Sequence, residues 1–336
     1  MRSILITALC CAATVASAND TMSQLGAGGL VFLTTDAVRM ASEDLFVSPE
    51  AVRVTYQFEN TTDRDIAALV AFPLPDITGS VDFMVAVPSE DPENIFGFAT
   101  SFAGTPVEAE LHQTVFATNI DYTDYLTELG LPLLPFGQPT IDAIAALDEA
   151  QKLALMHRGL VAPMEFDAGQ GWQREYYPVW TLRSAYSWEA LFPAGETVEV
   201  THAYAPSVGG TVGVTFLAEP YEGYDPASAY QRKYCTDESF VGAVRKTLPN
   251  PDEPWGAPFF ENWISYVWST GGNWSGSIGR FHLTIDKGRP ENLVSFCWDG
   301  EVTKTSPTTF EMEATDWWPP FGRELEILIL NRQDPA

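Results

Sequence analysis

Four things are scarce in this 336-residue chain: cysteine, histidine, positive charge and long apolar runs. There are four cysteines, four histidines, and 18 Lys+Arg against 45 Asp+Glu, for a net charge of −27. The acid excess repels nucleic acid and anionic lipid, so neither is expected as a partner. It suits a well-solvated protein, with a basic partner or weak divalent-cation binding as sharper alternatives. His112, His157, His202 and His282 stand singly, with no His-x-x-x-His or Cys-x-x-Cys pattern. No metal site and no cofactor are therefore expected. A Gly-x-Ser-x-Gly elbow, a Walker or Rossmann phosphate loop and an EF-hand loop are all missing. Gly26-Ala27-Gly28-Gly29 leads into a strand pattern, the wrong context for holding phosphate. No catalytic signature remains, and the chain reads more readily as a binding protein than as an enzyme.

The one sustained apolar stretch is at the start. Arg2 precedes the apolar run Ile4–Ala16, and Ala16-Ser17-Ala18 is a small-x-small sequence before the polar Asn19-Asp20. Such a pattern predicts a secretory signal peptide over residues 1–18, cut between Ala18 and Asn19. The run is well short of the ~20 residues that cross a bilayer, so no transmembrane segment is expected after cleavage. Neither Cys10 nor Cys11 has a leucine three places upstream, which disfavours lipid anchoring. The product is expected to be periplasmic or secreted. Cleavage removes one basic residue and no acid, taking the net charge to −28. It also leaves two cysteines, Cys235 and Cys297, which in an oxidising compartment most simply pair. A free thiol pair and a metal site are the alternatives.

Alternation dominates the mature chain. Val52, Val54, Tyr56 and Phe58 share one face, and Arg53, Thr55, Gln57 and Glu59 the other, the period of a half-buried strand. Val198, Val200, His202 and Tyr204 repeat it. Further short apolar runs at 66–72, 81–87, 95–102, 107–116 and 176–186 are bounded mainly by Gly, Pro and Asp. Helical signals intrude at Asp121–Leu129 and Ile141–Arg158, with Thr140 as the expected N-cap and Gly159 as the C-cap. A second set of strand patterns covers 263–268, 281–285, 293–298, 308–313 and 325–330, with a short helix at 239–248. The reading is a mostly β protein of two β-sandwich-like units. An N-terminal unit over 19–218 carries a helical insertion at about 121–165, and a C-terminal unit spans 219–336 with the disulfide.

Tryptophan marks the candidate site. Seven of the ten tryptophans follow residue 250. Trp255 and Trp274 lie in Gly/Pro/Asn-rich loops, and Trp317-Trp318-Pro319-Pro320 also reads as a loop. Indoles stack on sugar faces and anchor interfaces, so Trp255, Trp274, Trp317 and Trp318 are the candidate binding residues. The competing reading places these rings in a core. Paired carboxylates for glycoside hydrolysis are a weaker candidate. Glu43, Asp44, Asp76, Asp82, Asp237 and Glu238 are available, but Glu43-Asp44 also reads as a solvated strand edge.

Several short motifs together resemble the domain of unknown function 4424 family of exported bacterial proteins. They are Asn19-Asp20, Gly28-Gly29-Leu30, Ser42-Glu43-Asp44-Leu45, Val54-x-Tyr56-x-Phe58-x-Asn60 and Phe72-Pro73-Leu74-Pro75-Asp76. Phe192-Pro193-Ala194-Gly195, His202-x-Tyr204, Tyr234-Cys235, Asn273-Trp274 and Ser295-Phe296-Cys297-x-Asp299-Gly300 extend the resemblance over the mature chain. It implies a periplasmic protein and supplies no catalytic residues. Residues 52–75 and 193–204 are also faintly similar to the VIT (vault/inter-alpha-trypsin) domain, without its companion Asp-x-Ser-x-Ser metal site. The expectation is a periplasmic binding protein whose partner is an envelope protein or a glycan. An envelope carbohydrate hydrolase and a structural assembly subunit are the alternatives.

Overall fold

The structure is a computed structural model that describes residues 19–333, except 27–28, 82–83, 87, 89–93, 168, 170, 222, 251–252 and 254–255. The signal peptide expected over 1–18, Trp255 and Asp82 lie outside the described residues. Strands predominate, as expected, and are joined by a few short helices. The described strands form three larger sheets and one hairpin, Val161–Asp167 with Trp172–Pro178.

The widest sheet has eight strands and organises the rest. Its order is Thr303–Lys304, Thr309–Trp317, Ile278–Asp286, Val38–Val47, Val52–Asn60, Thr197–Tyr204, Ala99–Phe102 and Thr105–Val107. The alternating segments fold as their pattern demands: Val52, Val54, Tyr56 and Phe58 are buried, and so are Val198, Val200, His202 and Tyr204. Directly opposed residues share a face. Phe281 opposes Glu43, Glu43 opposes Tyr56 and Tyr56 opposes Val200, so all four point inward. A seven-stranded sheet built around Thr181–Phe192 and Ile66–Pro73 packs on one part of this inward face. There Phe58 meets Phe192 with ring centroids 6.0 Å apart, and Phe72 meets His202 at 4.7 Å. A five-stranded sheet, with Phe259–Tyr266 and Leu325–Arg332 at its centre, covers another part. Here the Tyr56 and Tyr266 hydroxyls are 3.0 Å apart.

The division drawn at 218/219 does not separate two sheets. Val38–Val47 pairs in parallel with Ile278–Asp286, from Arg280 opposite Ser42 to Ile285 opposite Val47. The five-stranded sheet likewise takes Met84–Ala86 and Val208–Thr211 from the N-terminal side of that division. One hydrophobic core runs through residues of both halves. The physical reason is the inward row through Phe281, Glu43, Tyr56 and Val200: the apolar faces of Val38–Val47 and Ile278–Asp286 are each half of a surface that must be buried together. A smaller cluster, with Val214, Phe216, Tyr230, Tyr234 and Phe259 at its heart, lies under the last two helices.

The helical expectations are revised in detail. The stretch 141–158 is two helices, Gln138–Ala146 and Glu149–His157. Asp148 breaks it by forming a capping box with Gln151, which satisfies the orphan N–H groups of the second helix. Thr140 is not a cap: it is buried in the first turn, where its hydroxyl donates to the Leu134 carbonyl at 2.8 Å. Asp237 caps Glu238–Arg245. Cys235 ends helix Pro226–Tyr234 in the left-handed conformation, φ 55°. It is bonded to Cys297 with S–S 2.06 Å, tying that helix to the end of strand Leu293–Phe296.

Candidate functional site

Among the described residues, two clefts and one enclosed polar knot bring chemistry-bearing side chains together. The first cleft, of about 250 Å³, lies beside the disulfide and is lined by Trp268, Trp298, Trp317, Pro320, Arg323, Asp299, Glu313 and Cys297. Trp317 is the last residue of strand Thr309–Trp317 rather than a loop residue. Its ring stacks on Phe281 with centroids 4.1 Å apart and planes 15° apart, and meets Trp268 edge-on at 5.2 Å. Trp298 stacks on Phe281 at 5.9 Å and lies 5.8 Å from Trp317. Gly300 fits because a Cβ there would be 2.7 Å from Trp298 Nε1. Trp268 is held by its Nε1–H donating to the Arg323 carbonyl at 2.8 Å and by its backbone N–H donating to Glu324 at 3.0 Å. The rim is polar. Arg280 pairs with Glu313 at 2.8 Å and holds that carboxyl below the usual range, through hydrogen bonding first and charge second. The chain from Pro320 to Arg323 walls the cleft, and the same loop leaves Trp318 58% and Phe321 fully exposed.

The second cleft, about 420 Å³, is lined by Tyr224, Tyr230, Tyr234, Trp263, Lys233 and Asp76 among others. Its two charged groups already have partners. Asp76 pairs with Arg183 at 3.1 Å and Lys233 with Glu326 at 3.5 Å. Behind it Glu261 is buried and accepts from the Tyr230 hydroxyl at 2.5 Å, the Thr215 backbone at 2.6 Å and Trp263 Nε1 at 3.2 Å. Desolvation raises the Glu261 pKa, and those donors oppose the rise.

The polar knot surrounds the start of the described chain. Asp20 and His202 form a fully buried pair at 2.9 Å. His202 is enclosed by Phe72, Phe98, Trp188 and Tyr56. Glu43 accepts from Asn19 Nδ2 at 3.2 Å and from the Tyr266 hydroxyl at 3.3 Å. Burial pushes the Glu43 carboxyl up to about 8.

Of the four candidate tryptophans, Trp317 lines the first cleft and Trp318 stands exposed beside it. Trp274 is elsewhere: it is 3% exposed, and its Nε1–H donates to the Asp20 carbonyl at 2.5 Å. It belongs to the core. The candidate carboxylates do not come together. Glu43 is inside the knot, Asp44 faces out against His282 at 3.2 Å, and Asp76 is ion-paired. Asp237 is a helix cap and Glu238 follows it in the first turn. Sequence reading missed Trp268, Trp298, Asp299, Glu313 and Arg323 as members of one cleft. The motif Cys297-x-Asp299-Gly300 was the available signal, since it brings an indole against a glycine at a disulfide. Among the described residues no group of three or more His, Cys, Asp or Glu is placed to hold a metal. No helix among them is long and apolar enough to cross a membrane.

These features define a mostly β protein with an aromatic surface cleft. The chain belongs to the domain of unknown function 4424 family, whose profile matches residues 18–328. It is also similar to a Legionella pneumophila protein, provisionally described as a nutrient binding protein, at 13% identity and a TM-score of 0.44 over 93% of this chain and 70% of that one. No curated protein matches it.

Proposed function

We propose that this is an exported protein of the cell envelope that binds a saccharide ring at the tryptophan cleft. The observation that carries the reading is the loop Trp318–Arg323. It leaves two large aromatic side chains in water on the same loop whose Pro320 and Arg323 line the indole cleft, an arrangement that costs free energy without a partner. The ligand class follows from the lining. Flat indoles suit the C–H face of a sugar, and Asp299, Glu313 and Arg323 suit its hydroxyls. The volume is a little under the ~300 Å³ at which ligand pockets begin, room for about one ring. Binding is favoured over hydrolysis because Arg280 keeps Glu313 ionised, so it is unsuited to protonate a leaving group. The location rests on residues 1–18 and on the Cys235–Cys297 bond.

The test is calorimetric titration with envelope saccharides, including peptidoglycan and lipopolysaccharide-core fragments. Binding by the wild type that is lost in Trp317→Ala, with the fold retained by circular dichroism, supports the reading. No saccharide binding across the panel, or binding that is unchanged in Trp317→Ala, removes it.

A further inference from the structure

Chain termini ordinarily lie at the surface. Asn19, which cleavage after Ala18 would make the terminus, and Asp20 are fully buried. Asn19 Nδ2 donates to the Trp268 carbonyl at 2.9 Å and to Glu43 at 3.2 Å. Its Oδ1 accepts from the Tyr266 hydroxyl at 2.7 Å and the Tyr56 hydroxyl at 3.1 Å. Its backbone carbonyl accepts from the Thr270 hydroxyl at 2.5 Å. A Cβ on Gly271 would be 2.7 Å from Asn19 Nδ2, so the 3-10 turn Ser269–Asn273 closes directly on this residue. Three strands and one turn thus build a receptor around a single side chain.

The receptor has a buried carboxyl to account for. The groups donating to Glu43 are neutral, and the buried His202 is engaged by Asp20. An isolated buried carboxylate is expensive. Hydrolysis of the Ala18–Asn19 bond by a signal peptidase gives Ala18 a carboxylate and Asn19 an amine, which takes up a proton near neutral pH. That nitrogen is within about 5 Å of its own residue's Nδ2 by covalent geometry, and Nδ2 already touches Glu43.

We propose that the pocket of Glu43, Tyr56, Tyr266, Trp268 and Thr270, which holds the Asn19 amide and carbonyl, sets the free α-ammonium group of Asn19 close enough to Glu43 for that carboxylate to be its counter-ion. Leader cleavage then completes the fold as well as releasing the protein. This rests on the export reading under the proposed function, and on the cut falling after Ala18. It also reaches the tryptophan cleft, because Trp268 offers its carbonyl to Asn19 and its ring to the cleft.

The test uses the exported, purified protein. Mass spectrometry identifies its first residue, and acylation of the terminal amine at pH 7 is followed in the native protein and in urea. The expected result is a start at Asn19, with its amine about tenfold or more slower to react in the native state. Thermal midpoints are then compared for chains beginning at Asn19 and at Ala18, each with Glu43 or with Glu43→Gln. The added alanine is expected to lower the midpoint, and to lower it less in Glu43→Gln. A start at another residue overturns this proposal together with the assigned cut. A start at Asn19 with a freely reactive native amine, or an alanine penalty equal in both backgrounds, overturns the ammonium site alone and leaves export standing. Should Glu43→Gln fail to fold, the amine reactivity of the wild type decides.

Discussion

Trp274 and Trp318 are the same residue type in two loop-like stretches of the same half of the chain, yet one is sealed and the other is open. Trp274 follows the turn Ser269–Asn273, packs 4.3 Å from Phe58 and hands its N–H to the Asp20 carbonyl. Trp318 follows a strand end at Trp317 and is 58% exposed. The difference lies in what each indole N–H and ring can reach. Trp274 has a buried carbonyl and an aromatic wall waiting for it, while it is Trp317, the residue before Trp318, that stacks on Phe281. Aromatic content alone therefore says nothing of role; the polar partner does.

The sharpest way to break the comparison is to truncate both. Trp274→Ala should destabilise by about 3–5 kcal/mol, from the lost ring and an unpaired Asp20 carbonyl. Urea unfolding would show a lowered midpoint. Reduction of Cys235–Cys297 should come next. It opens a loop of 62 residues, worth about 4 kcal/mol in the chain-entropy picture, and it should loosen the open cleft, which Cys297 lines. Unfolding with and without reductant measures it.

A smaller effect is pH-dependent and belongs to the sealed region. The folded state holds Glu43 at about 8, above its ordinary value of 4.5. The proton it retains contributes stability that is full below pH 4.5 and is lost as pH rises through 8. Asp20, Tyr56, Tyr266 and Asn19 face it, and Asp20 is raised in the same direction by burial. A chain beginning at Ala18 should lose stability between pH 5 and pH 8 relative to its Glu43→Gln variant. A chain beginning at Asn19 should lose less, because a neighbouring ammonium lowers the Glu43 pKa. The smallest effect on stability is expected at the open site. Trp318→Ala should change stability by no more than about 0.5 kcal/mol, yet weaken saccharide binding severalfold by calorimetry.

Much of the framework was legible. The period-2 runs at 52–58 and 198–204 became strands with the expected inward faces, and Cys235 and Cys297 paired. Glu43 was not legible as an interior residue. Strand Val38–Val47 has a bulge between Met40 and Ser42, which shifts its inward face so that Glu43 joins Leu45 and Val47. A strict alternation from Val38 would have sent it outward. Gly279 makes room for that bulge, since a Cβ there would be 2.6 Å from the Ala41 carbonyl oxygen. The sharing of sheets between halves was hidden for a related reason: a parallel pairing of distant strands leaves no local turn to announce it. The tryptophan cleft was half legible, through Trp317 and Trp318. Its remaining members come from residues 268, 297–300, 313–314, 320 and 323, segments brought together only once the sheets are packed.

The pairing of Ser42 with Arg280 has a consequence for assembly in time. A chain that emerges amino end first during synthesis presents Val38–Val47 long before its partner strand has arrived. Until then one edge of Val38–Val47 is unpaired and its apolar face uncovered. Contacts of such high sequence separation slow folding and lengthen the interval in which strands can pair with the wrong neighbour. Refolding should therefore be slow and concentration-sensitive, and a nascent chain arrested before residue 280 should be the form most in need of a holding chaperone.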